Sequence, residues 1–505
     1  MPAHTKPGKQ SGKRAVVIIH GIGNQAPLAT LRSFVDSVWA TDNRLTTHGT
    51  RQSWSKPERV SNNLELRRIT TTEDKTRKRT DFFEFYWAHM MEDTKFSSVL
   101  WWVQRLLMRG SGRVPPDLTA PWLAGIASVI LLFAIVAGVG FAILKTFQIL
   151  PVSLFCAFFW LAVAGATWAF LWYLRHRVIV EVVGDAAAYL TASPQNIEAR
   201  SRIRTAGLQF LNDLHDNPEY DRVILVCHSL GTVIGYDLLT FFWSNNSKSF
   251  VNETPEGQGS LRNVEALAKA VRENSAGGGA APFGEFRDAQ RDYARNVSMP
   301  GGRAWKITDF VTLGSPLAHA HILLVNDSLK LGKSETKWAS ESWIRTWHTR
   351  LDERTRTVAS ILAARIAERS FPSCPPEPEK DPAFSYKLDN LPGKPFGPHH
   401  AAVFGAVRWT NIFAPRKWLL WGDMIAGPVA PLFGPGVKDV QLSGAMSKSW
   451  IAHVNYWVLE KFGADMEHIE ALRAAVNLLD EDEKTAWDRS PKKAEPAQGG
   501  TVPAP

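Results

Sequence analysis

The stretch "VILVCHSLGTVIGYDLL", residues 223–239, decides how the rest of this chain is read. Its first half is a run of β-branched and apolar residues, the composition of a strand buried on both faces. From Leu230 onward the pattern is that of an apolar helix, and Ser229 stands at the join with His228 before it. The residues two places to either side of it, Cys227 and Gly231, are small.

Working outward, the chain repeats this rhythm. "RAVVII" (14–19) is a short apolar strand that runs into "HGIGNQAP", and "NLELRRIT" and "DFFEFYW" read as two more strands. Residues 196–216 have helical periodicity, and "ITDFVTL" (307–313), "VRWTNIF" (407–413) and "VKDVQL" (437–442) are later strands. Continuous apolar strands separated by helical stretches predict an α/β architecture, a mostly parallel sheet covered on both faces. Two long stretches interrupt the pattern, 241–303 around "SAGGGAAPFG" and 331–402 with "FPSCPPEPEKDP". Connections of this length are expected as cap-like insertions or connectors. The core is then expected in pieces at 14–95, 179–240, 304–330 and 403–488, between a basic N-terminus (1–13) and a Pro-rich tail (489–505).

Composition narrows the class. The chain has 505 residues, 45% hydrophobic and 21% charged, which suits a globular protein. A net charge of +9 suggests an acidic partner or none in particular. No basic stretch interleaves with aromatics and no DNA-reading spacing occurs, so nucleic acid is not expected as a partner. Cys156, Cys227 and Cys374 are too few and too scattered for a disulfide framework or a paired-cysteine metal site. Cys374 with His399 and His400 matches no metal spacing, and neither metal nor cofactor is expected. The opening "MPAHTKPGKQSGKR" leads into a strand rather than an apolar signal core.

Between the pieces of core lies a membrane segment, 96–178. Residues 122–144 and 150–174 carry no charge, and each exceeds the ~20 apolar residues that cross a bilayer core. The connection at 145–149 forces an antiparallel hairpin. Arg105, Arg109, Arg113, Arg175 and Arg177 flank it outside, against Lys145 in the turn. The positive-inside rule then predicts an integral inner-membrane protein with both ends and the soluble body in the cytoplasm. Trp122 and Trp172 fall at the same interface, and 96–108 could lie along the membrane or pack as an ordinary helix.

The sequence "CHSLG" resembles the nucleophile elbow G-x-S-x-G of the α/β-hydrolase superfamily, with Gly231 kept and Cys227 in place of the first glycine. "VVIIHGIG" resembles that superfamily's oxyanion loop, built on His20, Gly21 and Gly23. The resemblance covers roughly half of the chain and implies an α/β-hydrolase fold, here with an inserted two-helix transmembrane hairpin and cap-like insertions. It implies Ser229 as nucleophile and the backbone N–H groups of Ile22 and Leu230 as the oxyanion hole. The superfamily's chain order places an acid and then a histidine after it. Asp423 is the acid after a predicted strand, with Asp327 as the rival; His453 follows the last strand, whereas His399 and His400 precede one. Ser315 in "TLGSP" also looks like a lipase segment and is read as structural. The implied activity is a membrane-anchored serine hydrolase of the lipase/esterase type, acting on an acyl ester or lipid at the bilayer. A thioesterase, amidase or acyltransferase would use the same residues, and a non-catalytic membrane scaffold on this fold is the rival class. Oligomeric state is not readable from the chain.

Overall fold

A computed structural model describes residues 12–21, 28–46, 51–57, 67–91, 194–247, 250, 255–277, 282–299, 303–323, 362–380, 383–389, 395–416, 421–423, 425–449 and 452–488, with isolated positions at 119, 122, 123, 125–127, 130 and 189. Eight strands form one sheet: β1 Lys13–Ile19, β2 Ser53–Pro57, β3 Arg67–Thr71, β4 Thr80–Glu84, β5 Tyr220–His228, β6 Ile307–Leu313, β7 Arg408–Phe413 and β8 Lys438–Gln441. Their spatial order is β8-β7-β6-β5-β1-β4-β3-β2. Six strands, from β8 across to β4, run parallel, while β3 is antiparallel to both β4 and β2. The expected α/β architecture, a mostly parallel sheet with helices, is what the chain adopts.

Alternation along the strands builds two cores. In β1, Ala15, Val17 and Ile19 join a cluster on one face, and Val16 and Ile18 join another on the opposite face. Helix α1 (Ala29–Val35) and helix α6 (Glu467–Val476) contribute Phe34, Leu472 and Val476 to the second face. Helices α2 (Pro194–Asp216), α3 (Leu230–Asn246), α4 (Pro255–Gly277) and α5 (Phe283–Asn296) contribute to the first. Helix α3 is apolar nearly all round, and it is accordingly buried along most of its length.

The stretch 241–303, expected as a cap-like insertion, also builds the core: α4 and α5 place Leu261, Val264, Ala268, Val271, Phe286, Ala289 and Tyr293 in the main cluster. Their charges alternate with apolar residues at helical spacing, so a polar composition conceals a core-facing stripe. The described part of 331–402 behaves alike, burying Leu362, Ile366, Cys374 and Phe384 in the same cluster. The expected hairpin lies outside the described residues apart from positions 122, 123, 125–127 and 130, which are helical. Among the described residues no helix is long and apolar enough to cross a membrane.

Candidate active site

The register of the parallel strands gathers the candidate residues at one edge. Ile19 of β1 pairs with Cys227 of β5, and His228 pairs with Leu313 of β6. The segments following β1, β5, β6, β7 and β8 therefore leave the sheet at the same end, and each carries a residue of the site.

Ser229 sits where β5 stops and α3 starts, with φ 53° and ψ −128°, in the positive-φ region that non-glycine residues rarely enter. Its N–H donates to the Leu313 carbonyl at 3.0 Å and its carbonyl accepts from Thr232 N–H at 3.0 Å. Such strain persists only where the surroundings enforce it. The close approach is evident at Gly231, where a Cβ would run into the carbonyl oxygens of Ile19 and His20. At Gly21 a Cβ would lie 2.6 Å from the Ser229 Cβ. Cys227, the larger residue at the elbow, is accommodated by a second glycine: its sulfur occupies the space a side chain on Gly235 would need. Burial pushes the Cys227 thiol well above its ordinary pKa, so the thiol stays protonated beside the serine.

Asp423 and His453 complete a hydrogen-bonded chain. His453 Nδ1–H donates to Asp423 Oδ2 at 2.8 Å. That tautomer leaves Nε2 to accept the Ser229 hydroxyl at 2.8 Å. Asp423 is fully buried, and its other oxygen accepts N–H bonds from Ile425 at 2.9 Å and Ala426 at 3.1 Å. Burial pushes this carboxyl up, but the adjacent His453 and the hydrogen bonds from His453, Ile425 and Tyr456 outweigh it, and its pKa lies below the usual value. Asp423 is thus an ionised partner for an imidazolium.

Three further residues hold this chain in place: His228, expected as part of the nucleophile elbow, and Tyr456 and Gly314, which were not foreseen as site residues. Tyr456 donates its hydroxyl to Asp423 Oδ2 at 2.9 Å and accepts from Ala414 N–H at 3.0 Å. His228 donates from Nε2 to the His453 carbonyl at 2.8 Å. Burial first, and the nearby His453 next, lower the His228 pKa to about 3, so the ring is neutral at physiological pH. Gly314 has φ 58°, and a Cβ there would lie 2.8 Å from the Tyr456 ring, 3.0 Å from Asp423 Oδ2 and 3.1 Å from His453 Nδ1. "TLGSP" carried the Gly314 signal, since a glycine directly after a strand marks a forbidden φ or a close approach. Nothing local marks Tyr456 or the role of His228.

Ser315 makes no contact with the chain's acid or base. Its Oγ shares a hydrogen bond with Thr232 Oγ1 at 2.8 Å and accepts from Leu317 N–H at 3.2 Å, capping a short helix. His20 donates from Nδ1 to the Gly21 carbonyl at 2.8 Å, and its pKa falls to about 4, mainly by burial. Of the two expected oxyanion donors, Leu230 is the first residue of α3, where helix N–H groups lack intrahelical partners. Ile22 and Gly23 lie outside the described residues, as does Asp327. His399 is turned elsewhere, bonding the Glu377 carbonyl at 2.8 Å and Ala401 N–H at 3.1 Å. His400 is exposed beside it. Among the described residues no group of three or more His, Cys, Asp or Glu could hold a metal.

No family model, curated protein or solved structure matches the chain.

Proposed function

We propose that this chain is a serine hydrolase on an α/β-hydrolase fold, anchored in the membrane, that cleaves acyl esters of lipids. One observation carries the reading: the unbroken series Asp423–His453–Ser229, both links at 2.8 Å, ending on a serine held at φ 53°. A structural serine needs neither a strained backbone nor an imidazole oriented by a buried carboxylate.

The chemistry follows from the protons. Ser229 Oγ attacks the ester carbonyl carbon while its proton passes to His453 Nε2, and Asp423 stabilises the resulting imidazolium. The tetrahedral oxyanion faces the first turn of α3, where the Leu230 N–H and the helix dipole favour negative charge. Collapse expels the alcohol, which takes the proton from His453 and leaves an acyl group on Ser229. Water then repeats the attack with His453 as base, releasing the acid and restoring the serine.

Support for a lipid substrate comes from the rim. Trp421 and Ile425 flank Asp423, Val454 follows His453, and all three are exposed at 45%, 38% and 57%. Large apolar groups exposed together mark a surface for an apolar partner. The charge-free stretches 122–144 and 150–174 would hold such a site beside a bilayer.

Labelling with a fluorophosphonate tests the reading on the full-length protein. The wild type should label at one serine, and Ser229→Ala should abolish labelling and lower ester hydrolysis roughly 10⁴-fold or more. Persistent labelling in that variant moves the nucleophile elsewhere. An unlabelled, inactive wild type of normal stability makes the chain a scaffold.

A further inference from the structure

A second cavity lies along helix α3, away from the loops that carry Asp423 and His453. It has a volume of about 340 Å³, within the range of small-molecule sites. Its walls are α2, α3, Tyr189 and the segments around 369–372 and 400–401. Val233, one turn beyond Ser229, lies at one end of its α3 wall and Ser244 at the other.

The lining carries an excess of positive charge. Arg200, Arg204 and Arg369 face the cavity, and Asp237 is the one carboxylate among the described lining residues. That carboxylate is already engaged, by Arg204 at 2.5 Å and by the Tyr189 hydroxyl at 2.8 Å. Arg369 pairs outside the cavity with Glu379 at 2.5 Å. Arg200 forms no ion pair among the described residues; it lies over the Tyr189 ring at 5.5 Å, and its buried Nε has no hydrogen-bond partner. Burial, and then the Arg204 charge, lower the Arg200 pKa, against the opposing pull of Asp237 and Tyr189. A shielded guanidinium N–H left unpaired is costly, and here it faces a cavity where a bound anion would satisfy it.

We infer that this cavity binds a phosphate-bearing anion, with the Arg200 guanidinium as its principal contact. Phosphate suits the planar fork of arginine, which offers paired N–H donors to two oxygens at once. The apolar wall, Phe241 and Phe371 among it, accommodates an organic group attached to that phosphate. The anion is either a phospholipid headgroup or a soluble phosphate ester. Tyr189 stands on the chain that follows the second charge-free stretch, which favours the lipid. This site is independent of the triad and stands even if the hydrolase reading fails.

The test uses the detergent-solubilised full chain, with calorimetric titration of glycerol 3-phosphate and of phosphatidate or phosphatidylcholine in mixed micelles. Arg200→Gln should weaken phosphate-ester binding by about tenfold or more, the effect of one lost charge-assisted hydrogen bond. Ser370→Asp, which adds a carboxylate to the exposed rim of the cavity and removes no ion pair, should do the same by repulsion. Selective binding of phosphatidate supports the site with a lipid occupant, and equal binding of glycerol 3-phosphate supports it with a soluble one. If the wild type binds neither, or if both variants bind like the wild type, the inference is overturned.

Discussion

At the scale of single residues, the candidate site divides into side chains that act directly on the imidazole and side chains that hold those in place. Asp423 belongs to the first kind. Asp423→Asn should lower turnover by about 10⁴-fold, because the amide can donate to Nδ1 and favour the wrong tautomer. Tyr456 belongs to the second. Tyr456→Phe removes a donor from Asp423 Oδ2 and an acceptor from Ala414 N–H. It should cost about 1–3 kcal/mol of stability, the price of leaving buried polar groups unpaired, with a fall in kcat of about tenfold. Steady-state kinetics on both variants check the ordering, and a Tyr456→Phe enzyme as impaired as Asp423→Asn would give the tyrosine a direct part in proton transfer. The serine and its small neighbours were readable in the chain because elbow sterics act within a few residues. The tyrosine was not, since its partners Asp423 and Ala414 are brought to it only by folding.

At the scale of elements, the turns at the ends of the strands set the precision of the site. Gly314 ends β6 with φ 58°, beside Tyr456, Asp423 and His453. Gly314→Ala should be strained in φ, by about 1 kcal/mol or more, and would also push the ring of Tyr456 or the His453–Asp423 pair aside. Activity is expected to fall well beyond what the lost stability explains, which parallel thermal melts and kinetics will resolve. A variant that is unstable yet fully active per folded molecule would limit Gly314 to a folding role. Strands β1, β5, β6, β7 and β8 were all recognisable from their apolar runs, to within one or two residues at most ends. Edge strand β2 was not: its residues are exposed throughout, so no hydrophobic pattern marks it, and only pairing with β3 makes it a strand. The core-facing side of helices α4 and α5 was hidden for the converse reason. Their buried stripe is real but is diluted by the charges on the outward face.

At the scale of the whole molecule, buried histidines link stability to pH. Burial is the leading cause that lowers the pKa of His20 and His399 to about 4 and of His215 and His228 to about 3. In the unfolded chain each would titrate near about 6.5. As pH falls below that value the unfolded state takes up protons that the folded state refuses, so stability present above it is lost on the way down to the folded pKa values. The melting temperature should therefore drop steadily between about pH 7 and pH 5, where most carboxylates are still ionised. A flat profile over that interval would contradict the burial of these rings. The proposed anchor is tested at the same scale. Thr146→Cys should react with a membrane-impermeant thiol reagent in intact cells, and Ala494→Cys only after lysis. Cys227 and Cys374 are buried and should not obscure the result. Labelling of the tail in intact cells would reverse the orientation, and release of the wild type by alkaline carbonate would remove the anchor altogether.

What this chain settles by itself is local. A run of β-branched residues ending at a serine between small neighbours specifies a strand, a strained turn and a buried helix, because all three depend on contacts within a few positions. The charge-free stretches are equally local, since solvent preference is a property of the segment. What tertiary structure decides is which distant groups meet. His453 lies 224 positions from Ser229 and 30 from Asp423, and the pairing rests on the common carboxyl edge of parallel strands. The roles of His228, Gly314 and Tyr456 and the unpaired Nε of Arg200 among the described residues belong to the same category. Each is a statement about neighbours, and neighbours across hundreds of residues exist only once the sheet has been assembled.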